Sequence, residues 1–278
     1  MKKFFAILLI AGMGSFVMNS CQKSSDVKLN NDQQVSTQYA MGCNLLSAEE
    51  YAKIPVAKTP DVVITKAALT LNVPPVGDQG SEGSCVAWGT TYAGRSANWQ
   101  AGHPASWSQS VNIFSPEFVY NQIKLSSSCT SGSYVTTGLN FLQSQGACRW
   151  SVMPYTDVSC STLPNATQKA DAANYKISGY STVTRSTSSF KAQLAAGKAI
   201  IVAGQVNRAY QNLGNGVVLS TFSGSSVGGH CQCVVGYDDT KGAFKVMNSW
   251  GTGWASSGFG WIKYGYETTW WSEAYVIN

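Results

Sequence analysis

The sequence predicts a two-lobed α+β fold, because helix signals dominate its first half and strand signals its second half. Helical patterns occur between residues 85 and 145, and strand patterns recur from about residue 174 to the C-terminus. The length of 278 residues is about twice that of a common domain, which suits two packed lobes. The cleft between two such lobes is the natural place for a binding or catalytic site.

The N-terminal segment is typical of an export signal. Lys2 and Lys3 precede an apolar run over residues 4–10, which continues loosely through Met18. A charged head before an apolar run too short to span a bilayer indicates a signal peptide, here residues 1–20. No later segment approaches the ~20 apolar residues that a transmembrane helix needs.

Cys21 follows this run and is preceded by the small residue Ser20. A small residue before a cysteine at this distance resembles a bacterial lipoprotein box, in which the cysteine is acylated. We therefore expect Cys21 to be lipidated, and the protein to lie at the outer membrane or cell surface of a bacterium. Met18 and Asn19 depart from the usual box, so a plain periplasmic or secreted protein is the alternative. Residues 21–60 then form a tether and a short arm, and the main domain covers residues 61–278.

Composition and charge restrict the partners. The chain is 44% hydrophobic, too much for a disordered chain, and only 12% charged. Its 19 basic and 14 acidic residues give a formal net charge of +5 without a block of like charge. Nucleic acid is therefore not an expected partner, and a membrane is expected only through the lipid anchor. The chain is expected to be a monomer.

Three helices are predicted in the first half. The first covers residues 85–100 and carries apolar or small residues along one face. Residues 115–117 supply an N-cap serine, a first-turn proline and a first-turn acid for the second helix, which ends near Lys124. The third helix, over residues 134–145, is stopped by Gly146.

The second half is predicted to consist of strands, interrupted by one helix over residues 188–195. Short runs of β-branched and aromatic residues, bounded by glycine and polar clusters, indicate these strands. They cover residues 175–180, 199–206, 217–222, 231–237, 243–248, 258–264 and 273–277.

Cys85 stands at the first turn of the first helix, at the end of a segment that begins at Gln79 and contains two glycines. The positive end of the helix dipole favours a thiolate there, and the glycines let a substrate carbonyl approach the sulfur. The side chain of Gln79 and the backbone N–H of Cys85 can both donate to a developing oxyanion. A lone cysteine is more often a buried apolar residue, so this segment alone leaves both interpretations open.

His230 is one of only two histidines, and His103 lies in a loop where a surface role is favoured. His230 opens the predicted strand over residues 231–237, which would hold its ring rigidly. Asn248 can accept the other imidazole N–H and fix the tautomer, while Trp250 can shield that bond from water. Taken singly, each motif also fits a structural histidine or a turn with packed tryptophans.

Together these motifs resemble the papain-like cysteine peptidases, and the resemblance covers about residues 60–278. It implies a papain-like fold with a helical N-terminal lobe, an antiparallel β-barrel-like C-terminal lobe and an active-site cleft between them. It also implies that Cys85 attacks a peptide carbonyl, His230 transfers the proton, Asn248 orients the imidazole and Gln79 holds the oxyanion. The implied substrate is a peptide or protein, with no cofactor.

The resemblance further implies substrate contacts at Gly132, Ser133, Gly229 and Trp250. Residues 131–134 stand where the family has an Asn-Gly-Gly-Tyr segment whose backbone pairs with the substrate. Ser133 replaces a glycine of that segment, which bears on the width of the cleft rather than on catalysis.

Some positions depart from the family pattern. Glu82 stands where many members have a cysteine, so the usual disulfide beside the nucleophile cannot form. Val86 replaces the common tryptophan, and Trp88 stands for an aromatic residue two places on. The arm before the main domain is too short for the family's long helical inhibitory propeptide. Because the arm is partly apolar, one hypothesis is that residues 43–60 lie over the cleft.

The resemblance favours a disulfide between Cys129 and Cys160, by analogy with a family bridge that follows the Pro-Tyr motif. Export makes such a bond possible. Cys148 is the alternative for either partner, and it can also pair with Cys43.

Cys231 and Cys233, beside His230, suggest a zinc site. Against it, alternation along a strand places the two cysteines on one face, away from the histidine. A convincing fourth ligand is also missing. Family members carry small apolar residues in this strand, so we expect buried free thiols and no metal ion.

Two other functions stay open. The chain can be a catalytically inactive papain-like fold that serves as a surface binding module, since fold does not determine function. The retained set of Gln79, Cys85, His230 and Asn248 argues against this interpretation. A papain-like amidase or transpeptidase acting on cell-wall peptides is the second alternative, with activity on D-amino-acid peptides as its distinguishing property.

Overall fold

The computed structural model describes residues 39–278, so the predicted signal peptide and Cys21 lie outside the described residues. The helices are α1 Ala48–Ala52, α2 Cys85–Ala87, a π-helix Trp88–Arg95, α3 Ser96–Gly102, α4 Pro116–Ile123, α5 Val135–Ser144, α6 Ala166–Ala172, a 3-10 helix Ala173–Tyr175, α7 Thr187–Ala195, α8 Arg208–Gln211 and α9 Glu267–Trp270. The strands are β1 Cys43–Asn44, β2 Ala68–Thr70, β3 Ser133–Tyr134, β4 Tyr180–Thr182, β5 Ile200–Asn207, β6 Val218–Leu219, β7 Ser226–Asp238, β8 Ala243–Met247, β9 Phe259–Lys263 and β10 Glu273–Ile277.

The three predicted helices of the first half are confirmed. The first runs without a break through α2, the π-helix and α3. The second is α4, where the Ser115 hydroxyl accepts a hydrogen bond from the backbone N–H of Phe118 at 3.1 Å. That bond satisfies one of the free amides of the first turn, as the N-cap pattern predicts. The third is α5, which ends just before Gly146.

The long first helix packs directly on β7. An ideal Cβ placed on Gly89 would lie 2.6 Å from the Sγ of Cys231, so only glycine lets the helix approach the strand this closely. The Sγ of Cys233 donates to the carbonyl of Gly89 at 3.1 Å. These contacts fix the start of the helix relative to the strand that carries His230.

Eight strands form one sheet in the order β4-β10-β5-β7-β8-β9-β6, with β2 paired to β7. Neighbours in this sheet are antiparallel except β6 and β9, which are parallel. The order is an open path among the described strands. The antiparallel sheet is therefore observed, whereas the prediction that it resembles a barrel is not confirmed.

Apolar cores cover both faces of this sheet, which is why β7 is buried on each side. The side chains of Cys231, Cys233 and Val235 belong to the core under the helices, together with Phe118 and Leu139. Those of Val234 and Tyr237 belong to the second core. The two cysteines are free and buried on one face, as predicted.

The second half departs from the prediction at several points. Residues 175–180 were expected to form a strand, but a 3-10 helix ends at Tyr175 and β4 begins only at Tyr180. The predicted single helix is α7, yet the short helices α8 and α9 also occur after residue 174. Each has four residues, too few to give a helical period in the sequence.

The described cysteines form one disulfide, between Cys129 and Cys160, which confirms the favoured pairing. Cys148 and Cys43 are free and buried, so the alternative pairings are wrong. Within residues 39–278, no helix has the length and apolar content needed to cross a membrane.

Candidate active site

Cys85 begins α2 at the point where the chain passes beneath the loop that carries Cys129. The backbone N–H of Gly83 donates to the carbonyl of Cys129 at 2.8 Å. An ideal Cβ on Gly83 would lie 2.6 Å from the Thr130 carbonyl oxygen, so the close approach requires glycine. The Cys85 side chain is fully buried at this crossing.

Gln79 is held on both its backbone and its side chain by Ser249. Its backbone N–H donates to the Ser249 carbonyl at 2.8 Å, and its Oε1 accepts from the Ser249 hydroxyl at 2.7 Å. The Nε2 atom is thereby directed to the carbonyl oxygens of Glu82, at 2.9 Å, and Ala40, at 3.3 Å. Ser249 had no role in the sequence analysis, although it directly follows the predicted Asn248.

The structure brings His230 and Asn248 together. The Nε2 of His230 lies 2.7 Å from the Oδ1 of Asn248, which also accepts from the Ser249 backbone N–H at 2.8 Å. Since that amide fixes Oδ1 as the acceptor, Nε2 of the neutral ring carries the hydrogen. The buried Nδ1 has no hydrogen-bond partner among the described residues, and it is the nitrogen free to accept a proton. Trp250 stacks on the imidazole with a centroid distance of 4.5 Å.

Cys85 lies beside the peptide that follows His230. The backbone N–H groups of Cys231 and Gly42 face its sulfur and favour the thiolate, but burial is the larger effect and raises the pKa of Cys85 to about 12. Burial likewise lowers the pKa of His230 to about 4, against an opposing hydrogen bond to Asn248. The helix dipole was expected to favour a thiolate, and desolvation outweighs it here. Both groups are therefore neutral at pH 7 in this arrangement.

A segment of the chain itself, residues 39–44, crosses this site; we call it the arm segment. The backbone N–H of Gly42 donates to the Gly229 carbonyl at 3.4 Å, and its carbonyl accepts from the Ser133 N–H at 2.9 Å. An ideal Cβ on Gly132 would lie 2.3 Å from the Gly42 carbonyl oxygen. The ring of Tyr39 stacks on Trp250 at 4.6 Å and 5°.

The arm segment thus contacts every residue that the sequence analysis assigned to substrate binding, namely Gly132, Ser133, Gly229 and Trp250. The hypothesis that residues 43–60 lie over the cleft is wrong in its boundaries, since only Cys43 and Asn44 of that range belong to the arm segment. Later residues leave it through α1 and bond to β4, where Ala57 N–H donates to the Thr182 carbonyl. Apolar content was a poor guide, because Gly42 makes the close contacts.

Comparison with known proteins gives a family for this fold. A family model described as "Papain family cysteine protease" matches residues 60–276. The chain is 26% identical over 188 residues to the "Gamete and mating-type specific protein A" of Dictyostelium discoideum, covering 66% of this chain and 39% of that protein. It is 26% identical over 200 residues to a "Cysteine protease" of Blomia tropicalis, covering 68% and 57%. The chain thus spans less than two thirds of the length of these curated relatives.

Solved structures share the fold at low sequence identity. Xylellain, a cysteine protease from Xylella fastidiosa, is 23% identical with a TM-score of 0.69, covering 86% of this chain and 95% of that one. Digestive procathepsin L2 from the Tenebrio molitor larval midgut is 19% identical with a TM-score of 0.72, covering 86% and 78%. Because the family model matches most of its length, this chain belongs to the papain family of cysteine proteases.

Proposed function

We propose that the protein is a cysteine peptidase that hydrolyses peptide bonds with Cys85, His230, Asn248 and Gln79. The observation that supports this most directly is the amide of Gln79, which donates to the carbonyl oxygen of a peptide segment lying in the cleft. The same amide can hold the oxyanion that forms when a substrate carbonyl is attacked.

The proposed reaction assigns one step to each of these groups. Nδ1 of His230 takes the proton of the Cys85 thiol, and the thiolate attacks the substrate carbonyl carbon. The oxyanion accepts hydrogen bonds from Gln79 and from the Cys85 backbone N–H. The imidazolium then protonates the leaving amine as the C–N bond breaks. Water, deprotonated by His230, cleaves the thioester, releases the acid and restores the thiol.

Asn248 and Trp250 support the histidine in this scheme. Asn248 keeps the ring in the orientation that leaves Nδ1 available, since its Oδ1 holds the Nε2 hydrogen at 2.7 Å. Trp250 covers the ring face and limits access of water to the bond. A binding module has no need of this arrangement, which disfavours the inactive alternative.

We further propose that the arm segment keeps the enzyme latent. In this proposal it takes the positions expected for a substrate backbone and adds to the burial that keeps Cys85 and His230 uncharged, and this burial outweighs the Gly42 N–H, which by itself favours the thiolate. The segment fits most tightly at Gly42, where an ideal Cβ would lie 1.9 Å from the Gly83 carbonyl oxygen. In the full chain, a Gly42→Ala substitution should therefore displace the arm segment from the cleft.

Export and lipidation of Cys21 remain part of the proposal. The disulfide between Cys129 and Cys160 supports an oxidising compartment, where such bonds persist. The N-terminal peptide of the membrane-extracted protein, analysed by mass spectrometry, should begin with a diacylated cysteine. An unmodified N-terminus in a soluble fraction would instead indicate the plain secreted form.

The test of the peptidase function is labelling with a peptidyl epoxide that alkylates an activated thiol. The full chain carrying Gly42→Ala should gain one adduct on Cys85, and Cys85→Ser and His230→Ala in that background should gain none. Cys148→Ser, which removes a buried thiol outside the site, is the matched control and should label normally. Absence of any adduct would favour the binding module, and cleavage restricted to D-amino-acid peptides would favour the amidase.

A further inference from the structure

The loop between Gln79 and Cys85 is held in place by the hydroxyl group of Tyr155. The Oη of Tyr155 lies 2.7 Å from the Gln79 carbonyl oxygen, 2.7 Å from the Ser84 hydroxyl and 3.2 Å from the Oε2 of Glu82. Tyr155 therefore contacts the backbone of the oxyanion glutamine and the residue that precedes the nucleophile. A shift of this hydroxyl would move both groups.

The three contacts of the Tyr155 hydroxyl compete for its single hydrogen when Glu82 is ionised. The Tyr155 hydroxyl has one hydrogen to donate, and its oxygen can accept two. The Gln79 carbonyl can only accept, as can an ionised Glu82, whereas the Ser84 hydroxyl can donate. An ionised Glu82 thus competes with Gln79 for the single hydrogen. A protonated Glu82 donates to Tyr155 instead, and all three contacts are then satisfied.

The surroundings of Glu82 favour the protonated form. Its side chain is fully buried, and its Oε1 has no hydrogen-bond partner among the described residues. Burial and the neighbouring carboxylate of Glu117, with a smaller effect of Asp157, raise the pKa of Glu82 to about 7, against the hydrogen bonds from Tyr155 and the Cys160 backbone N–H.

Two other polar side chains in this region bind backbone carbonyls and not the Glu82 carboxyl. The single hydrogen of the Tyr120 hydroxyl is shared between the carbonyls of Cys129 and Ser131, at 2.6 and 2.8 Å, rather than donated to Glu82. The Lys124 ammonium, at the end of the same helix, donates to the carbonyls of Asn121 and Cys160. Two further groups near Glu82, the sulfurs of Cys129 and Cys160, are joined in the disulfide and are not free ligands for a metal ion.

We propose that Glu82 and Tyr155 are positioning residues for the loop between Gln79 and Cys85. This loop keeps the geometry needed for catalysis only while Glu82 carries a proton. This inference rests on the proposed peptidase function. Its consequence is an enzyme that works best at mildly acidic pH and loses activity as Glu82 ionises. Since Gln79 acts on the oxyanion, the loss should fall on kcat rather than on KM.

The kinetic test compares pH profiles in the full chain carrying Gly42→Ala. From pH 6 to pH 8, kcat should fall by up to about tenfold, the ratio of protonated Glu82 at the two values for a group that titrates near pH 7. Glu82→Gln, whose amide donates to Tyr155 but does not titrate, should hold kcat level across this range. Tyr155→Phe should lower kcat at pH 6 severalfold and abolish the same pH step. An unchanged pH step in Glu82→Gln would overturn the proposal.

Two further measurements distinguish a failure of this proposal from a failure of the proposed peptidase function. Tyr180→Phe is the matched control, because this hydroxyl binds Asn140 away from the loop, and it should retain the pH step.

The second measurement is the melting temperature of the unmodified full chain as a function of pH, which requires no enzymatic activity. The folded pKa of Glu82 is raised, so its stability contribution is present below pH ~4.5 and is lost as the pH rises to about 7. Glu82→Gln should lack this decline; if it declines equally, Glu82 does not carry the proton. A decline without peptidase activity would overturn the proposed function alone.

Discussion

The hydroxyl of Ser249 donates a hydrogen bond to the Oε1 of Gln79 at 2.7 Å, and this contact decides which way the glutamine amide points. With Oε1 occupied, Nε2 is the atom directed at the Ala40 carbonyl in the cleft. In the proposed mechanism the amide is thus preorganised before a substrate binds, which is the condition for effective stabilisation of an oxyanion. Ser249 is a positioning residue in this arrangement, since it acts through Gln79.

The first prediction concerns this pair. Gln79→Ala should lower kcat by about 10²–10³, the usual cost of removing one oxyanion donor. Ser249→Ala leaves the amide in place but free to rotate, so its loss should be smaller, roughly tenfold, with KM nearly unchanged. Steady-state kinetics on a fluorogenic peptide measure both variants in the full chain that also carries Gly42→Ala, which serves as the parent enzyme because the unmodified chain is proposed to be latent. If Ser249→Ala were as active as the parent enzyme, the orientation of Gln79 would have to come from elsewhere.

The second prediction concerns the bond between His230 and Asn248. Asn248→Ala removes the acceptor of the Nε2 hydrogen, so the ring can turn and the imidazolium loses its partner. Hydrogen bonds to charged groups contribute about 1.5–3 kcal/mol, which corresponds to roughly a ten- to hundredfold loss of kcat. Asn248→Asp restores an acceptor at the same place and should recover part of the activity. The same steady-state kinetics, in the chain that carries Gly42→Ala, measure these variants; equal kcat values for Asn248→Ala and that parent would contradict the role.

The sequence was informative where chemistry needs a particular side chain. The sequence pointed to Gln79, Cys85, His230 and Asn248, the residues of the proposed mechanism, because a nucleophile, a base and amide donors have few substitutes. Ser249 and Tyr155 were not assigned roles, because serine and tyrosine are common and their function here depends on distances across the fold. The contact between Ser249 and Gln79, for example, joins residues 170 positions apart.

The arm segment was located wrongly for a related reason. Its hydrogen bonds are made by backbone atoms of Ala40 and Gly42, which leave no mark in side-chain patterns, and its one ring contact comes from Tyr39, which precedes the predicted range. The cap of α4 revealed the start of that helix because capping is a local effect, whereas α1 and α6 were not predicted although both have capping boxes. Short elements such as α8 and β4 depend on packing against the sheet, which the local sequence does not encode.

The third prediction concerns the disulfide between Cys129 and Cys160, which are 31 positions apart. Closing a loop of this length is expected to contribute about 3–4 kcal/mol to the free energy of unfolding. Cys160→Ala should remove most of this contribution in a urea denaturation experiment. Because the Cys129 carbonyl holds the Gly83 N–H, the variant should also label more slowly with the epoxide when both chains carry Gly42→Ala. Cys148→Ala, which alters a free buried thiol, should keep the labelling rate.

The last prediction concerns the charge state of Cys85 while the arm segment is in place. Burial raises its pKa to about 12 and lowers that of His230 to about 4, so both groups stay neutral between these values. Alkylation by iodoacetamide needs a thiolate and should be slow in the full chain at pH 6. Gly42→Ala should admit water to both groups, allow the proton to pass from Cys85 to His230, and raise the rate at least about tenfold.

The control for this experiment is Gly102→Ala, since an added Cβ meets nothing within 4 Å at that glycine. Its alkylation rate should match that of the unmodified chain, whereas His230→Ala combined with Gly42→Ala should return the rate to the slow value. Mass spectrometry of the Cys85 peptide distinguishes this thiol from Cys43, which also lies in the cleft and shares its burial. Rapid alkylation of Cys85 in the unmodified chain at pH 6 would show that the arm segment leaves the cleft readily, and latency would then need another cause.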